Sequence, residues 1–535
     1  MSKKTYKNIS GNKLNSTLII AAVILLVINV GLYWKSVNYN FVWDDHRTHI
    51  HSNQNMMEDN VIDFWKKSYV GLYIPVSYTT WSWIKDISLK EVKGNKIPDA
   101  KTFHTVNIIL HSINSIILLY LLYLLTGATW FSFAGALLFS IHPLQVESVV
   151  WISEYRGLLS AFFSLGSLIL YFIYRKNEKE DNKLVIFSSV LFILALLSKP
   201  SAIVLPLFVI AFEYFILKGE RKKYLIPLIW FLLTIPVMLI TKLSQPGTET
   251  EFAAPLWTRP FIAGDAISFY LFKFFLPFDL SASYGRTPEA VINVWYIYIL
   301  WIIPLVLLFF IWKLRNTEPI VALGIFIFLI GVLPISGLLS FEFQKFSTVA
   351  DRYIYLSMIG AAIVLVRILQ KYKTQQWIFY ASGAVAIIFL FINSNQQEIW
   401  KDDLTLWKST SEKNPGQAHV HNNFGIALHD AGKFDEAIMQ YNLAIETRPS
   451  FATAYNNRGN SYAFKRDFQK ALHDHTKAIE LDPSYGRAWF NRAVTYFQLS
   501  NLQAAYNDLQ QAERNGYKPH PQFRKDLENE IRKRN

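Results

Sequence analysis

Long apolar runs, separated by short polar segments, occupy most of the first 400 residues. Windows such as 18–34, 105–125 and 321–340 hold almost no charge over about 17 to 21 positions, the length needed to cross a hydrocarbon core. Runs of this kind predict helices at approximately 17–34, 104–125, 129–141, 157–174, 184–197, 201–217, 224–241, 294–312, 319–340, 353–370 and 376–394. The pattern therefore predicts an all-α, polytopic membrane bundle of about eleven spans, and it excludes a single soluble enzyme.

Most of the net positive charge lies in this part of the chain, which carries +10 of the total of +13. Enrichment of Lys and Arg on one side of a membrane explains the excess better than a nucleic-acid-binding face does. The basic loops 175–183, 218–223, 313–315 and 371–373 share the side of the N-terminus only if the interrupted apolar stretch 262–280 does not cross. This stretch is therefore predicted to lie in the interface or to re-enter the membrane.

The same arrangement predicts which segments face the non-cytoplasmic side. These are the long loop 35–103, the segments 142–156 and 341–352, and the C-terminal tail. The N-terminal apolar run follows basic residues but lacks a small-residue cleavage site, so it is predicted to be a retained signal anchor. The chain contains no cysteine, which excludes disulfides, thiolate metal sites and thiol nucleophiles.

The last 135 residues are far more polar and contain 35 of the charged side chains. Small residues recur there every 34 residues, at Ala437, Ala471 and Ala505 and again at Ala444, Ala478 and Ala512. Thirty-four residues is the period of the tetratricopeptide repeat, an α-solenoid unit of two helices. We therefore predict a membrane domain at 1–394, a linker with a capping helix at 395–416, three repeats at 417–518 and a C-terminal capping helix at 519–535.

Ionisable residues beside membrane spans are costly, and this makes them candidates for function. The first outer loop opens with FVWDDH, in which Asp44 and Asp45 are adjacent carboxylates close to the membrane surface. Repulsion between neighbouring carboxylates favours the protonated form of one of them, as suits a general base, although a solvated acidic turn is the alternative. His46, His49 and His51 are candidates for a divalent metal site, but their irregular spacing fixes no ligand geometry.

Further polar residues stand at the outer ends of other spans. They are His142, Glu147, Arg156, Lys199, Asp351 and Arg352. Arg and Lys at helix ends could neutralise the phosphate of a lipid whose tail stays in the bilayer. For each cation taken alone, the alternative is a side chain that reaches out to lipid headgroups.

A column of asparagines is predicted on the first helix of each repeat, at Asn423, Asn457 and Asn491, again 34 residues apart. Their carboxamides could bond the backbone of an extended acceptor peptide on the concave face. The alternative is that these side chains only bond neighbouring helices.

In combination these segments resemble the transmembrane and tetratricopeptide-repeat-containing O-mannosyltransferase family, including its bacterial relatives. The resemblance runs through FVWDDH, FHTVNIILHS, HPLQVESVVW with RGLLSAFFSL, SKPSAIVLP, PFDLSASY, ADRYIYL and LWKSTSEKNP. It implies a C-type glycosyltransferase fold that uses a polyprenyl-phosphate sugar as co-substrate. No bound cofactor is expected. The chain departs from the commoner family pattern at Ile74 and Pro75, where Arg-Pro is usual, so donor identity is left open.

The resemblance further implies that an acidic residue of the first outer loop is the base, with Asp44 preferred to Asp45. The expected activity is transfer of a sugar, with mannose as one candidate, to an acceptor hydroxyl of protein Ser or Thr. Two alternatives remain, a non-catalytic membrane scaffold that presents the repeats and a lipid-linked polysaccharide polymerase or ligase. The expected location is a bacterial inner membrane with periplasmic repeats, or the endoplasmic reticulum with lumenal repeats for a eukaryotic source.

Overall fold

A computed structural model describes residues 16–46, 56, 61–69, 71–92, 94–177, 181–244, 254–338 and 342–534 of the chain. The chain divides into two compact units, Met1–Asp402 and Asp403–Asn535. The first contains the apolar runs and the second the 34-residue repeats.

The first unit is a bundle of helices with one short antiparallel hairpin. Its helices before the hairpin are α1 (Ser16–Tyr33), α2 (Asp63–Lys66) and α3 (Pro75–Ser88), and the hairpin pairs β1 (Leu89–Val92) with β2 (Asn95–Pro98). After it come α4 (Ala100–Thr126), α5 (Thr129–Ile141), α6 (Val146–Val150), α7 (Tyr155–Lys176), α8 (Asn182–Ser198), α9 (Leu205–Phe212), α10 (Leu225–Ser244) and α11 (Arg259–Phe275). The unit ends with α12 (Pro288–Ile292), α13 (Ile297–Leu300), α14 (Ile302–Leu314), α15 (Pro319–Val332), α16 (Met358–Lys371) and α17 (Gln376–Glu398).

Within the described ranges, seven helical segments are long and apolar enough to cross a membrane, or eight if a bent pair counts as one span. The bend of 54° separates Thr129–Ile141 from Pro143–Val150, where Pro143 interrupts the helix. Asn182–Ser198 and Pro319–Ile335 are shorter apolar helices. The predicted class, a polytopic helical bundle followed by a repeat solenoid, is confirmed, whereas the number of eleven crossings stays a prediction.

The tenth predicted helix begins later than its apolar pattern suggests. Residues Asp351–Tyr353 form a separate 3₁₀ turn, and α16 begins only at Met358. The main-chain N–H of Arg352 donates to a carboxylate oxygen of Glu147 over 2.9 Å. A long-range contact therefore holds the turn that precedes this helix, and local periodicity does not encode such a contact.

Interrupted helices place several chain breaks beside one another in the first unit. The short helix α6 leads into the 3₁₀ turn Ile152–Glu154, and a second break at Lys199 separates α8 from the turn Pro200–Val204. Helix α3 packs near this second break, because Ser77 Oγ donates to the carbonyl of Ser198 over 2.9 Å. These breaks carry most of the polar residues singled out by the sequence.

The second unit consists of helical hairpins at the predicted 34-residue spacing. Its helices are α18 (Asp403–Lys413), α19 (Ala418–Asp430), α20 (Phe434–Thr447), α21 (Ala452–Phe464), α22 (Phe468–Leu481), α23 (Gly486–Gln498), α24 (Leu502–Arg514) and α25 (Pro521–Arg534). Gly425 lies so close to the ring of Tyr441 that a Cβ atom would stand 2.5 Å from it. Close approach of the two helices in a repeat therefore requires a residue without a side chain at this position.

Candidate functional site

The loop that follows α1 is held in an unusual backbone conformation directly before the acidic pair. Trp43 has φ 54°, a left-handed conformation that is uncommon for a bulky residue. Its indole stacks on Trp151 at a centroid distance of 4.7 Å and an interplanar angle of 11°. Such strain persists only where surrounding structure fixes it and is concentrated at functional sites. The stack thus fixes where the loop presents Asp44.

The two adjacent aspartates have different environments. Asp45 is fully buried, and its carboxylate accepts hydrogen bonds from the main-chain N–H of Val42 at 3.1 Å, from the N–H of Ser153 at 2.9 Å and from the Ser153 hydroxyl. Burial raises the pKa of Asp45 to about 7, although these hydrogen bonds oppose the shift. Asp44 is only half-buried. Asp45 therefore ties the loop to the turn Ile152–Glu154, and Asp44 is the more accessible carboxylate.

Two of the predicted cations converge on one carboxylate that the sequence analysis did not single out, Glu154. Its Oε2 accepts from Lys199 Nζ at 2.6 Å, and its Oε1 accepts from Arg156 Nε and Nη2 at 3.3 and 3.2 Å. Glu154 is 1% exposed, whereas the side chains of Lys199 and Arg156 each remain 15% exposed. The structure thus brings together cations from two separate breaks in the chain.

Arg352 lies beside this group but is enclosed. Its Nη1 is 2.5 Å from Glu147 Oε1, its Nε is 3.9 Å from Glu154 Oε1, and the side chain is 3% exposed. Its guanidinium also packs against four aromatic rings, those of Trp43, Trp151, Phe343 and Tyr353. Arg352 and Glu147 thus neutralise each other in a buried ion pair, which favours a structural role for both over the predicted contact with a donor phosphate.

Asp351 also has a specific partner. Its Oδ1 accepts from the hydroxyl of Tyr284 at 2.7 Å, and burial raises the pKa of Asp351 well above the usual range of a carboxyl group. Tyr284 lies in the segment after α11 together with Phe278, whose carbonyl accepts from Lys273 Nζ at 2.5 Å. Neither Tyr284 nor Lys273 was predicted as a site residue. The available signals were the segment PFDLSASY, which ends at Tyr284, and the interruption of the apolar stretch 262–280, which contains Lys273.

His142 does not join this cluster. It is fully buried, with Nδ1 accepting from the main-chain N–H of Leu144 at 3.2 Å and Nε2 2.9 Å from the carbonyl of Phe274. Its ring stacks on Phe274 at 5.2 Å. These contacts favour a packing role at the bend between α5 and α6, and the substrate contact of His142 stays a prediction.

The metal alternative concerns three histidines of the first loop. His49 and His51 lie outside the described residues, and His46 is half-buried against the ring of Phe41. In the described part of the chain, no group of three or more His, Asp or Glu side chains is arranged to hold a metal ion. A metal site at these histidines therefore remains a hypothesis from the sequence.

A long apolar groove opens on the same unit. It has a volume of about 1250 Å³ and lies between α5, α11, α15, α16 and α17. Its lining includes Leu137, Phe274, Phe278, Phe328, Leu365 and Phe389. Since Phe274 and Phe278 follow Lys273 along the chain, the groove reaches the segment that leads to Tyr284, the partner of Asp351.

The asparagines of the repeats bond one another. Asn457 Nδ2 donates to Asn422 Oδ1 at 3.0 Å, and Asn491 Nδ2 donates to Asn456 Oδ1 at 2.9 Å. Asn423 belongs to the same chain of side chains, because its Oδ1 is 3.4 Å from Asn422 Nδ2. Bonding between neighbouring helices, the alternative to peptide contact, is thus present. Each carboxamide keeps a second N–H or lone pair.

Comparisons with known proteins match both parts of the chain. Family models of the tetratricopeptide repeat match residues 452–485 and 412–463. The first such domain of Spaghetti (RPAP3), a solved structure, is 27% identical over 22% of this chain and 89% of its own, with a TM-score of 0.20, below the level at which a likeness supports an argument.

Relatives that extend over most of the chain are named protein O-mannosyl-transferases. The Caenorhabditis elegans protein F38B6.6 is 24% identical over 79% of this chain and 62% of its own length, and mouse TMTC3 is 22% identical over 78% and 50%. The chain therefore spans about half to three-fifths of the length of these relatives. Together, the long relatives and the repeat models confirm the predicted resemblance to the transmembrane and tetratricopeptide-repeat-containing O-mannosyltransferase family.

Proposed function

We propose that the chain is a membrane glycosyltransferase that transfers a sugar from a polyprenyl-phosphate donor to a Ser or Thr hydroxyl of a protein acceptor on the non-cytoplasmic face. The sugar is mannose, as in the names of the relatives. The observation that carries the proposal is the pair of partly exposed cations, Lys199 and Arg156, both bonded to Glu154 in the turn that also anchors the loop of Asp44. A base and a phosphate site are thereby linked by one short turn.

The reaction needs few groups from the protein. Asp44 takes the proton of the acceptor hydroxyl as its oxygen attacks the anomeric carbon from the face opposite the phosphate. The new bond is from acceptor oxygen to carbon, and the bond from carbon to phosphate oxygen breaks with its electron pair. Polyprenyl phosphate leaves, its gain in charge stabilised by Lys199 and Arg156, and the configuration at carbon is inverted. No covalent intermediate on the protein is required.

The apolar groove suits the tail of such a donor. A polyprenyl chain has no polar group beyond its phosphate, and the groove is lined by aliphatic and aromatic side chains of five helices. Burial of the polyprenyl chain in this groove would add to the affinity for the donor but would not accelerate the chemical step.

Transfer by the purified full chain in lipid nanodiscs tests this function. Undecaprenyl-phosphate mannose and a Ser/Thr-rich polypeptide are supplied, and mass spectrometry follows both products. Mannosylated polypeptide with release of undecaprenyl phosphate is expected. Sugar on an added oligosaccharide but never on the polypeptide would favour the polysaccharide ligase, and no turnover with any lipid-phosphate sugar would favour the scaffold.

The proposed orientation places the repeats on the non-cytoplasmic side, and the absence of native cysteines allows a direct test. Ser484 is exposed between α22 and α23, so a Ser484→Cys variant carries a single accessible thiol. We expect an impermeant maleimide to label it in intact spheroplasts to the same extent as after lysis. Labelling that requires lysis would place the repeats in the cytoplasm and remove the proposed topology. The unsubstituted chain is the control for background.

The repeats are proposed to bind the acceptor protein and to raise its concentration near the membrane unit. Truncation after Asp402 removes the whole second unit at its boundary. We expect this variant to need at least about tenfold more protein acceptor for half-maximal rate, while transfer to a short peptide changes little. Equal loss with both acceptors, in a protein that still inserts and binds donor, would contradict acceptor capture.

A further inference from the structure

We propose that Glu154 is a positioning residue that holds Lys199 and Arg156 in the geometry required to bind a lipid-linked phosphate. The inference rests on the proposed function, because it concerns the donor of that reaction. Glu154 itself is not expected to touch the donor, since its carboxylate is buried beneath the two cations.

The contacts of Glu154 differ in kind from those of the neighbouring ion pair. Glu147 and Arg352 are both almost fully buried, at 2% and 3% exposure, so that pair is closed to a ligand. Glu154 is as deeply buried, but its two closest partners reach the surface. Lys199 carries three N–H groups and the Arg156 guanidinium five, more than one carboxylate can accept. The remaining donors can serve a phosphate while the carboxylate fixes the two side chains.

The position of Glu154 in the chain connects these cations to the acidic loop. Its neighbour Ser153 donates to Asp45 through both its main-chain N–H and its hydroxyl. The turn Ile152–Glu154 is therefore bonded on one side to the loop that carries Asp44 and on the other to Lys199 and Arg156. A displacement of Glu154 would change the distance between the base and the phosphate site.

The charge of Glu154 also favours the protonated form of Lys199. Burial lowers the pKa of Lys199, repulsion from Arg156 and Arg352 acts in the same direction, and the charge and hydrogen bond of Glu154 oppose the shift. Among the described residues, the ring of Tyr353 also faces the ammonium, 5.8 Å from Nζ. Removal of the carboxylate charge is therefore expected to lower the pKa of Lys199 further. As the pH rises, such a variant would therefore lose phosphate binding at a lower pH than the wild-type chain does.

Gly157 offers a way to move the carboxylate without removing its charge. A Cβ atom at this position would stand 2.7 Å from Glu154 Oε2 and 3.3 Å from Lys199 Nζ. Alanine there must displace both groups of the ion pair. Glu318 provides a matched control, because it accepts from Arg367 at 2.8 Å and from Lys371 at 3.2 Å elsewhere in the same unit.

The experiment measures binding of undecaprenyl phosphate, the lipid phosphate without sugar, to the full chain in nanodiscs at several pH values. Loss of a charged hydrogen-bond partner typically changes an equilibrium constant by about tenfold or more. We expect Glu154→Gln to raise Kd about tenfold near neutral pH and to shift the alkaline loss of binding to lower pH. Gly157→Ala should raise Kd without that shift, and Glu318→Gln should change neither quantity.

The outcomes separate this inference from the proposed function. Wild-type binding that Glu154→Gln and Gly157→Ala both leave unchanged would overturn the positioning role alone. The same would follow if Glu318→Gln weakened binding equally, since the effect would then be general to lost carboxylates. Failure of the wild-type chain to bind the lipid phosphate would overturn both. A wild-type chain that binds the lipid phosphate but transfers no sugar would overturn the proposed reaction. The positioning role would stand if Glu154→Gln and Gly157→Ala still weakened binding as expected.

Discussion

Asp44→Asn is expected to lower sugar transfer by about 100- to 10,000-fold, the usual cost of losing a positioned general base. The carboxamide keeps the size of the side chain but cannot take the proton of the acceptor hydroxyl. Binding of undecaprenyl phosphate should be nearly unchanged, because the proposed phosphate contacts lie on Lys199 and Arg156. Initial rates and donor binding, measured on the same nanodisc preparation, separate the two effects.

Asp45→Asn is the matched comparison, since it makes the same chemical change one residue away. Asp45 accepts from Val42 on one oxygen and from Ser153 on the other, and an asparagine can accept on only one side. We expect a smaller loss of transfer, about tenfold, from a loop less firmly held on the turn. If Asp45→Asn instead removed all activity and Asp44→Asn removed little, the base would be Asp45.

Arg352→Ala is expected to cost the membrane unit about 3 to 5 kcal/mol of folding stability, because it leaves Glu147 buried without its partner. It also removes a cation packed against four aromatic rings. Thermal unfolding of the detergent-solubilised chain, followed by tryptophan fluorescence, should show a clear fall in the midpoint temperature. Arg156→Ala is the control, since Glu154 would keep Lys199 and the fall should be much smaller.

A second variant tests the cause of this loss. When Glu147→Gln is combined with Arg352→Ala, no uncompensated charge remains, and part of the stability should return. An Arg352→Ala protein that unfolds at the wild-type temperature but binds undecaprenyl phosphate poorly would contradict the structural role. It would return Arg352 to the phosphate site expected from its place at a helix end.

Local patterns along the chain predict the fold class correctly. An apolar run such as Ser16–Tyr33 can bury its backbone polar groups in a membrane only as a helix, so composition and length suffice to identify it. The 34-residue spacing of Ala437, Ala471 and Ala505 likewise reflects contacts within each repeat unit. Both signals are local, and this is why a single sequence carries them.

Roles within the candidate site depend on contacts that sequence spacing does not encode. Asp44 and Asp45 are the same residue type in adjacent positions, and only burial against Ser153, more than a hundred residues away, distinguishes them. Arg352 and Lys199 look alike as cations at helix ends. They differ in solvent exposure because Arg352 pairs with Glu147 in an enclosed contact, whereas Lys199 pairs with Glu154 and stays partly exposed.

The sequence by itself determined the membrane bundle, the repeat solenoid and the set of chain breaks at which polar residues collect, because each follows from local apolar runs, helix-breaking prolines or a fixed period. Tertiary structure alone decided which of those breaks meet. Nothing in the segment ISEYRG distinguishes Glu154 from the polar residues around it. Glu154 belongs to the candidate site because the fold brings Lys199 to 2.6 Å from its carboxylate. The asparagine column bonds across repeats for the same reason, since stacking sets those distances.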